Sequence, residues 1–231
     1  MDKAWRVMIE ILAHRANVRG PQPPVENSYS ACAEALSLGF GLEIDLRRIG
    51  DEFLISHDPA PISEENSLPR FAELFGRHPD LPLAVNVKEL GYEADLIRLA
   101  DSGVFGRASF YFDFELLEPG QPGAAQRKLR GQPGGDKVRL AARVSDRGES
   151  LEQCLGIPAE VVWADEFDSL WLTADVIHKL RDVGRRVYLI SPELHGFSTE
   201  DRLRRWADFK SWGVDGLCTD FSLEALQFFR S

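Results

Sequence analysis

No stretch of this 231-residue sequence stays apolar over the eighteen or so residues a helix needs to cross a bilayer. Cysteine is scarce. Cys32, Cys154 and Cys218 are odd in number and far apart, so they make neither a disulfide framework nor a metal-binding pair. They are expected as small buried hydrophobes in a reducing cytoplasm. Blocks of positive charge are missing too. With 27 Lys and Arg against 37 Asp and Glu, the formal net charge of −10 repels a polyanion and argues against nucleic acid as a partner. A small anion stays compatible, because a few convergent cations or a bound metal reverse the field locally. No G-x-G-x-x-G or Walker sequence is present, so the Gly-rich phosphate loops are excluded. The opening Met1-Asp2-Lys3-Ala4-Trp5-Arg6 leads into a short run broken by Glu10, unlike a secretory signal.

What is present is a regular alternation. Hydrophobic residues make up 44% and charged residues 28%, which suits a globular chain rather than a disordered or coiled-coil one. Strands are predicted at Val7–Leu12, Gly41–Leu46, Leu83–Val87, Ala108–Phe112, Val138–Arg143, Glu160–Ala164, Arg186–Ile190 and Gly216–Thr219. These runs are near-continuously apolar, as strands buried on both faces of a parallel sheet tend to be. A ninth run, Phe53–Ser56, follows Gly50-Asp51 and reads as a small hairpin after strand two.

Helical patterns fill the intervals. Asn27 is the expected cap of Ser28–Leu38, with Gly39 as its stop. Leu68–Arg77, Thr173–Val183 and Ser222–Phe229 follow, and Ser198-Thr199-Glu200-Asp201 has the form of a capping box opening a helix with Leu203, Trp206 and Phe209. The Gly- and Pro-rich stretch from Glu118 to Lys137 reads as a loop with a short helix over Ala124–Leu129. Eight such strands in one unit, residues 1–231, predict a single (β/α)8 TIM barrel of the α/β class. A doubly wound open sheet is the rival, and it lacks its phosphate loop here.

Function in such a barrel gathers at the C-terminal ends of the strands. His14-Arg15 follows strand one. Glu43 and Asp45 alternate with Leu42, Ile44 and Leu46, so both carboxylates share one side of the sheet. His57-Asp58 follows the hairpin, Asn86 and Lys88 end strand three, Asp113 strand four, Arg143 strand five and Asp165 strand six. Glu193 and His195 follow strand seven, and Asp220 follows strand eight. Two carboxylates turned into one mouth repel each other, and a hard divalent cation relieves that cost. The alternative for Glu43 and Asp45 is ion pairing with Arg15, Lys88 or Arg143. For Asp165 and Asp220 it is helix capping, and for Glu193 and His195 a rigid Pro192–Gly196 turn. His78 and His178 lie on helical stretches and read as ordinary surface or structural residues.

Taken in order, Ile11-Leu12-Ala13-His14-Arg15, Glu26-Asn27, Glu43-Ile44-Asp45 and His57-Asp58-Pro59 resemble the glycerophosphodiester phosphodiesterase family. The closing Gly213-Val214-Asp215-Gly216-Leu217-Cys218-Thr219-Asp220 is similar to that family's last barrel strand. The resemblance implies a phospholipase C-like phosphodiesterase barrel, with His14 and His57 as acid and base and a divalent metal, Mg2+ or Ca2+, on Glu43 and Asp45. Three departures stand out. Asn86-Val87-Lys88 replaces a Glu-x-Lys motif, leaving a neutral oxygen ligand, with Asp165 as the other candidate for the last metal position. The family's insertion after the second histidine is nearly absent, which marks a short subgroup. The end of strand seven reads Ile190-Ser191-Pro192-Glu193-Leu194-His195 in place of a Trp-containing segment.

The expected activity is therefore hydrolysis of a small phosphodiester, with a place in lipid metabolism implied by the family. Arg15 would clamp the phosphate, Lys88 and Arg143 would add positive charge, and Glu193 and His195 would contact substrate. Trp163, Trp171 and Phe197 are candidates to stack on a sugar near the mouth. The competing readings are a barrel that binds metal or phosphate without turnover, and a lyase or transferase that releases or traps a cyclic phosphate. Neither the alcohols of the diester nor the oligomeric state has a signature in the sequence.

Overall fold

The computed structural model describes residues 9–106 and 108–231. Nine strands make one sheet: β1 (Glu10–His14), β2 (Gly41–Ile49), β3 (Glu52–Ile55), β4 (Leu83–Val87), β5 (Ser109–Phe112), β6 (Ala141–Val144), β7 (Val161–Ala164), β8 (Arg186–Ile190) and β9 (Gly216–Thr219). Eight run parallel in the order β5-β4-β2-β1-β9-β8-β7-β6, and β3 pairs antiparallel on β2 outside that path. The ring closes between β5 and β6 through a Tyr111–Leu140 bridge, with the Tyr111 N–H donating to the Arg139 carbonyl at 3.0 Å. This is the expected (β/α)8 barrel with its hairpin.

The expected strand over Val7–Leu12 instead runs Glu10–His14, its first two residues lying outside the described ones. His14 is thus the last residue of a strand rather than part of a loop. The expected strand at Val138–Arg143 begins later, at Ala141, because a 3-10 turn at Gly135–Lys137 precedes it. Gly41–Leu46 extends to Ile49, since pairing with β3 continues along it as far as Ile49 opposite Glu52.

Period-two alternation divides the core in two. Leu42, Ile44, Leu46, Leu83, Val85, Val87, Val162 and Ala164 face the helices. Leu12, Ala84, Phe110, Phe112, Ala141, Val161, Trp163, Tyr188, Ile190 and Cys218 fill the barrel interior. The interior rings pack closely, with Phe112 and Trp163 centroids 4.3 Å apart and Phe110 and Tyr188 5.1 Å apart. Gly216 accommodates this floor: a Cβ there would sit 2.1 Å from a Tyr188 ring carbon.

The longer helices are Tyr29–Ser37, Leu68–Gly76, Glu93–Ser102, Ala174–Asp182, Thr199–Trp212 and Ser222–Arg230. Ser28, not Asn27, caps the first, its Oγ accepting from the Ala31 N–H at 3.2 Å. Glu93–Ser102 and the short Leu151–Gly156 were not apparent from the apolar pattern. The first buries Leu96 and Ile97 with Leu99 and Ala100 packed beside them, and the second is announced by its complete Ser150–Gln153 capping box. Trp206 and Phe209 anchor Thr199–Trp212, fully buried and contributing about 1.5–3 kcal/mol each by removal from water. No described helix is long and apolar enough to cross a membrane.

Candidate functional site

The same alternation that fills the barrel floor with rings turns polar residues inward one step further along each strand. On β2, Leu42, Ile44 and Leu46 pack outward, so Glu43 and Asp45 point into the barrel. Asn86 continues the inward phase of Ala84 on β4 and stands opposite Asp45 in register. Arg143 follows Ala141, and Asp165 follows Val161 and Trp163. The polar layer therefore lies directly on the aromatic floor, at the C-terminal end of the strands.

One side of this layer is built around His14. Its Nδ1–H donates to Asp220 Oδ1 at 2.8 Å, which directs Nε2 toward Glu43 Oε2, 4.0 Å away. Asn17 donates to the same Asp220 oxygen at 2.8 Å and to Glu26 Oε1 at 3.0 Å. Arg15 carries a positive φ of 47°, and this turn brings its backbone N–H to Glu43 Oε2 at 3.1 Å. Its guanidinium reaches Glu26 at 3.1 Å and Asp45 at 3.3 Å. Lys88 Nζ lies 2.8 Å from the other Asp45 oxygen. Asn27, also left-handed at φ 58°, donates to Asp45 Oδ2 at 2.7 Å and accepts the Asp45 N–H at 3.3 Å. This is why it does not cap the helix that follows.

The two neighbouring carboxylates are pushed in opposite directions. Burial and the adjacent Asp45 charge raise Glu43 to about 7, against the pull of His14, Lys88 and Arg15. Burial also works against charge on Asp45, but Lys88, Arg15 and the hydrogen bond from Asn27 hold it below its ordinary value. For His14, burial disfavours the imidazolium. The Asp220 hydrogen bond and the charges of Glu43 and Asp220 outweigh it and raise the pKa.

Asp45 is thus already neutralised by cations, while Glu43 meets no Lys or Arg side chain at ion-pair distance among the described residues. Asn86 is only 7% exposed, and its side chain makes no hydrogen bond among the described residues. A hard cation would find carboxylate oxygen on Glu43 and amide oxygen on Asn86, while at Asp45 it would have to displace the Lys88 or Arg15 contact. No group of three His, Cys, Asp or Glu side chains spaced for a metal occurs among the described residues, so water or substrate oxygens would have to complete the sphere.

The other side of the layer is built around Arg143. Its guanidinium bridges Asp113 at 3.0 Å and Asp165 at 2.9 Å, all three nearly fully buried. Burial raises Asp113, with Arg143 opposing it, and its backbone is left-handed at φ 71°. Asp165 also accepts His195 Nε2 at 2.6 Å and the Glu166 N–H at 2.9 Å. Its oxygens are therefore committed, which leaves Asn86 the better candidate for a third ligand. Phe167 lies against His195, ring centroids 4.2 Å apart.

Of the predicted site residues, His57 bonds to neither group among the described residues, while Glu193 joins the His14 side through the Asp220 N–H. His57 leaves β3 with its side chain 43% exposed and hydrogen bonded at 3.0 Å only to the neighbouring Asp58. Its carbonyl, by contrast, is gripped by Arg47 Nε at 2.9 Å and Nη2 at 2.6 Å. Glu193 turns toward β9 and accepts from Ser191, Thr219 and the Asp220 N–H. Trp163, considered for sugar stacking, is instead sealed in the floor at 3% exposure. Trp171 donates its ring N–H to the Asp165 carbonyl at 2.8 Å and packs against the outer core. Asn17, Asp146 and Phe167 carry no signal in the sequence. All three sit in irregular loops, where no periodic signal marks an inward position.

No protein-family model and no curated protein matches the chain. Solved structures do resemble it. A glycerophosphoryl diester phosphodiesterase from Parabacteroides distasonis superimposes with a TM-score of 0.70 at 17% identity, covering 98% of this chain and 88% of that one. A second glycerophosphodiester phosphodiesterase from the same organism gives 0.64 at 13% identity, covering 97% and 98%. A dihydropteroate synthase from Yersinia pestis gives 0.53 at 15% identity, covering 97% and 92%. One scaffold thus carries two unrelated chemistries among these neighbours. At such identities the likeness establishes a (β/α)8 barrel, similar over nearly its whole length to glycerophosphodiester phosphodiesterases.

Proposed function

We propose that the chain is a metal-dependent phosphodiester hydrolase of the glycerophosphodiester phosphodiesterase type, acting on a small phosphodiester in the cytoplasm. The observation that carries this reading is the His14–Asp220 dyad, whose Nε2 lies 4.0 Å from Glu43, next to Asp45 with its Arg15 and Lys88.

A phosphodiester resists attack because its charge repels nucleophiles. Mg2+ or Ca2+ on Glu43, Asp45 and Asn86 would supply Lewis-acid stabilisation of a non-bridging oxygen. Arg15 and Lys88 add positive charge beside Asp45 and hold the phosphate in the mouth. Arg143 is fixed between Asp113 and Asp165, so it shapes the wall of the mouth and tempers its negative field. His14, oriented by Asp220, exchanges a proton through Nε2 with the attacking or leaving oxygen. The sequence resemblance gives the matching role to His57.

The test is hydrolysis of glycerophosphodiesters and bis(p-nitrophenyl) phosphate by the purified protein with added Mg2+ or Ca2+, with chelator as control. His14→Ala is expected to reduce turnover by about 10²–10⁴-fold. No metal-dependent turnover by wild type would overturn the reading in favour of a binding barrel. Phosphorus NMR reports the product: an open monoester supports hydrolysis, and accumulation of a cyclic phosphate or a transfer product replaces it with the lyase or transferase reading.

A further inference from the structure

We infer that His195, seated on Asp165, is the second proton-transferring imidazole of the mouth and the partner of His14. This rests on the phosphodiesterase reading. The two histidines are built alike. Each leaves one ring nitrogen on a carboxylate at the C-terminal end of a barrel strand: His14 on Asp220 after β9 at 2.8 Å, His195 on Asp165 after β7 at 2.6 Å. Each side chain is 19% exposed, enough for a bound substrate to reach. With Nε2–H committed to Asp165, the Nδ1 of His195 has no hydrogen-bond partner among the described residues.

The turn Pro192–His195 links the two dyads directly. Glu193, on this turn, accepts the Asp220 N–H at 3.3 Å, while His195 reaches Asp165 on the other side of β8. Strands β7 and β9 flank β8, so their ends stand about 10 Å apart, twice the spacing of neighbouring strands. Imidazoles held on such anchors would have room for a phosphodiester between them. Phe167 fixes the plane of His195. The Phe167 ring also carries Arg143 and Arg147, with guanidinium carbons 4.9 Å and 4.4 Å from its centroid.

His57 lacks this setting. It leaves a hairpin strand whose ladder partner is β2, off the barrel path, and its one acidic neighbour, Asp58, has a side chain 87% exposed. Water competes for every contact such a pair makes.

The step assigns one proton to each imidazole. The attacking hydroxyl passes its proton to His14 Nε2 as its oxygen bonds to phosphorus. The bond from phosphorus to the leaving oxygen breaks, and that electron pair takes the proton of His195 Nδ1. Asp165 offsets the imidazolium charge before transfer, and both histidines re-equilibrate with water afterwards.

A leaving-group test separates a proton donor from a residue that only positions substrate. Turnover of an alkyl phosphodiester, which needs its leaving alkoxide protonated, is compared with that of a p-nitrophenyl diester, which does not. His195→Ala is expected to lose about 100-fold or more on the alkyl substrate and under about tenfold on the p-nitrophenyl one. His195→Gln, which keeps an N–H for Asp165 but carries no transferable proton, is expected to show the same split. Equal losses on both substrates, or no loss, overturn the inference. So does the split appearing in His57→Ala and not in the His195 variants, which would leave the phosphodiesterase reading standing. That reading fails separately, if wild type hydrolyses neither substrate.

Discussion

Asp146 accepts four hydrogen bonds: from the backbone N–H groups of Phe167 and Asp168 at 2.9 Å, from that of Ser169 at 2.7 Å, and from the Ser169 hydroxyl at 2.9 Å. Burial works against its charge, but these donors win and hold its carboxyl below the ordinary value. The residue thereby pins the Phe167 loop on which His195 rests. A depressed folded pKa means the unfolded chain binds more protons. The contribution to stability is therefore present above the unfolded value of 3.8 and lost as pH falls through the folded one. Asp146→Ala is expected to cost about 1–3 kcal/mol at pH 7 and distinctly less at pH 3, read from urea midpoints. An equal deficit at both pH values would show that the carboxylate charge does not carry the clamp. Single residues in loops leave little trace in the sequence for this reason. Asp146 acts through backbone groups some twenty residues away, and Asn27 looks like a helix cap until Asp45 is placed beside it.

At the scale of the element, the strands were more legible than their ends. Alternating side chains on β2 announced that Glu43 and Asp45 share a face, because that follows from strand geometry alone. Where a strand stops depends on its neighbour: β2 runs on to Ile49 because β3 pairs there. The barrel floor shows the same dependence. Gly216 reads as one more small strand residue, yet the Tyr188 ring of the adjoining β8 occupies the space over it. Gly216→Ala is expected to destabilise by about 1–3 kcal/mol or more, since the ring has to leave its place among Phe110 and Trp163. Combining it with Tyr188→Leu should recover much of what the glycine change adds. Additive losses in the double variant would mean that the overlap with the ring is not the cause.

For the molecule as a whole, a layer of opposed charges rests on a sealed aromatic floor, and Glu43, unlike Asp45, meets no Lys or Arg side chain at ion-pair distance among the described residues. A divalent cation bound there stabilises the folded chain by mass action. At a concentration roughly 100-fold above Kd the gain is about 2.7 kcal/mol. For a chain of this size that corresponds to a rise in Tm of about 5–10 °C. Asn86→Glu, which supplies a third carboxylate, is expected to raise the midpoint further at the same cation concentration, and Glu43→Gln to abolish the rise. A wild-type melting curve unmoved by Mg2+ and Ca2+ would remove the metal from the proposal.

The sequence by itself determined the barrel, the appended hairpin and the inward acid pair, because these follow from hydrophobic periodicity and the alternation of side chains along a strand. It also placed polar groups at the strand ends. Only the tertiary structure decided which of them meet: His14 with Asp220, separated by 206 positions, and His195 with Asp165, while His57 stayed on the open edge of the hairpin. Those pairings depend on how the strands close into a ring and where the loops turn back, and contacts between distant segments leave no periodic trace in the residues that make them.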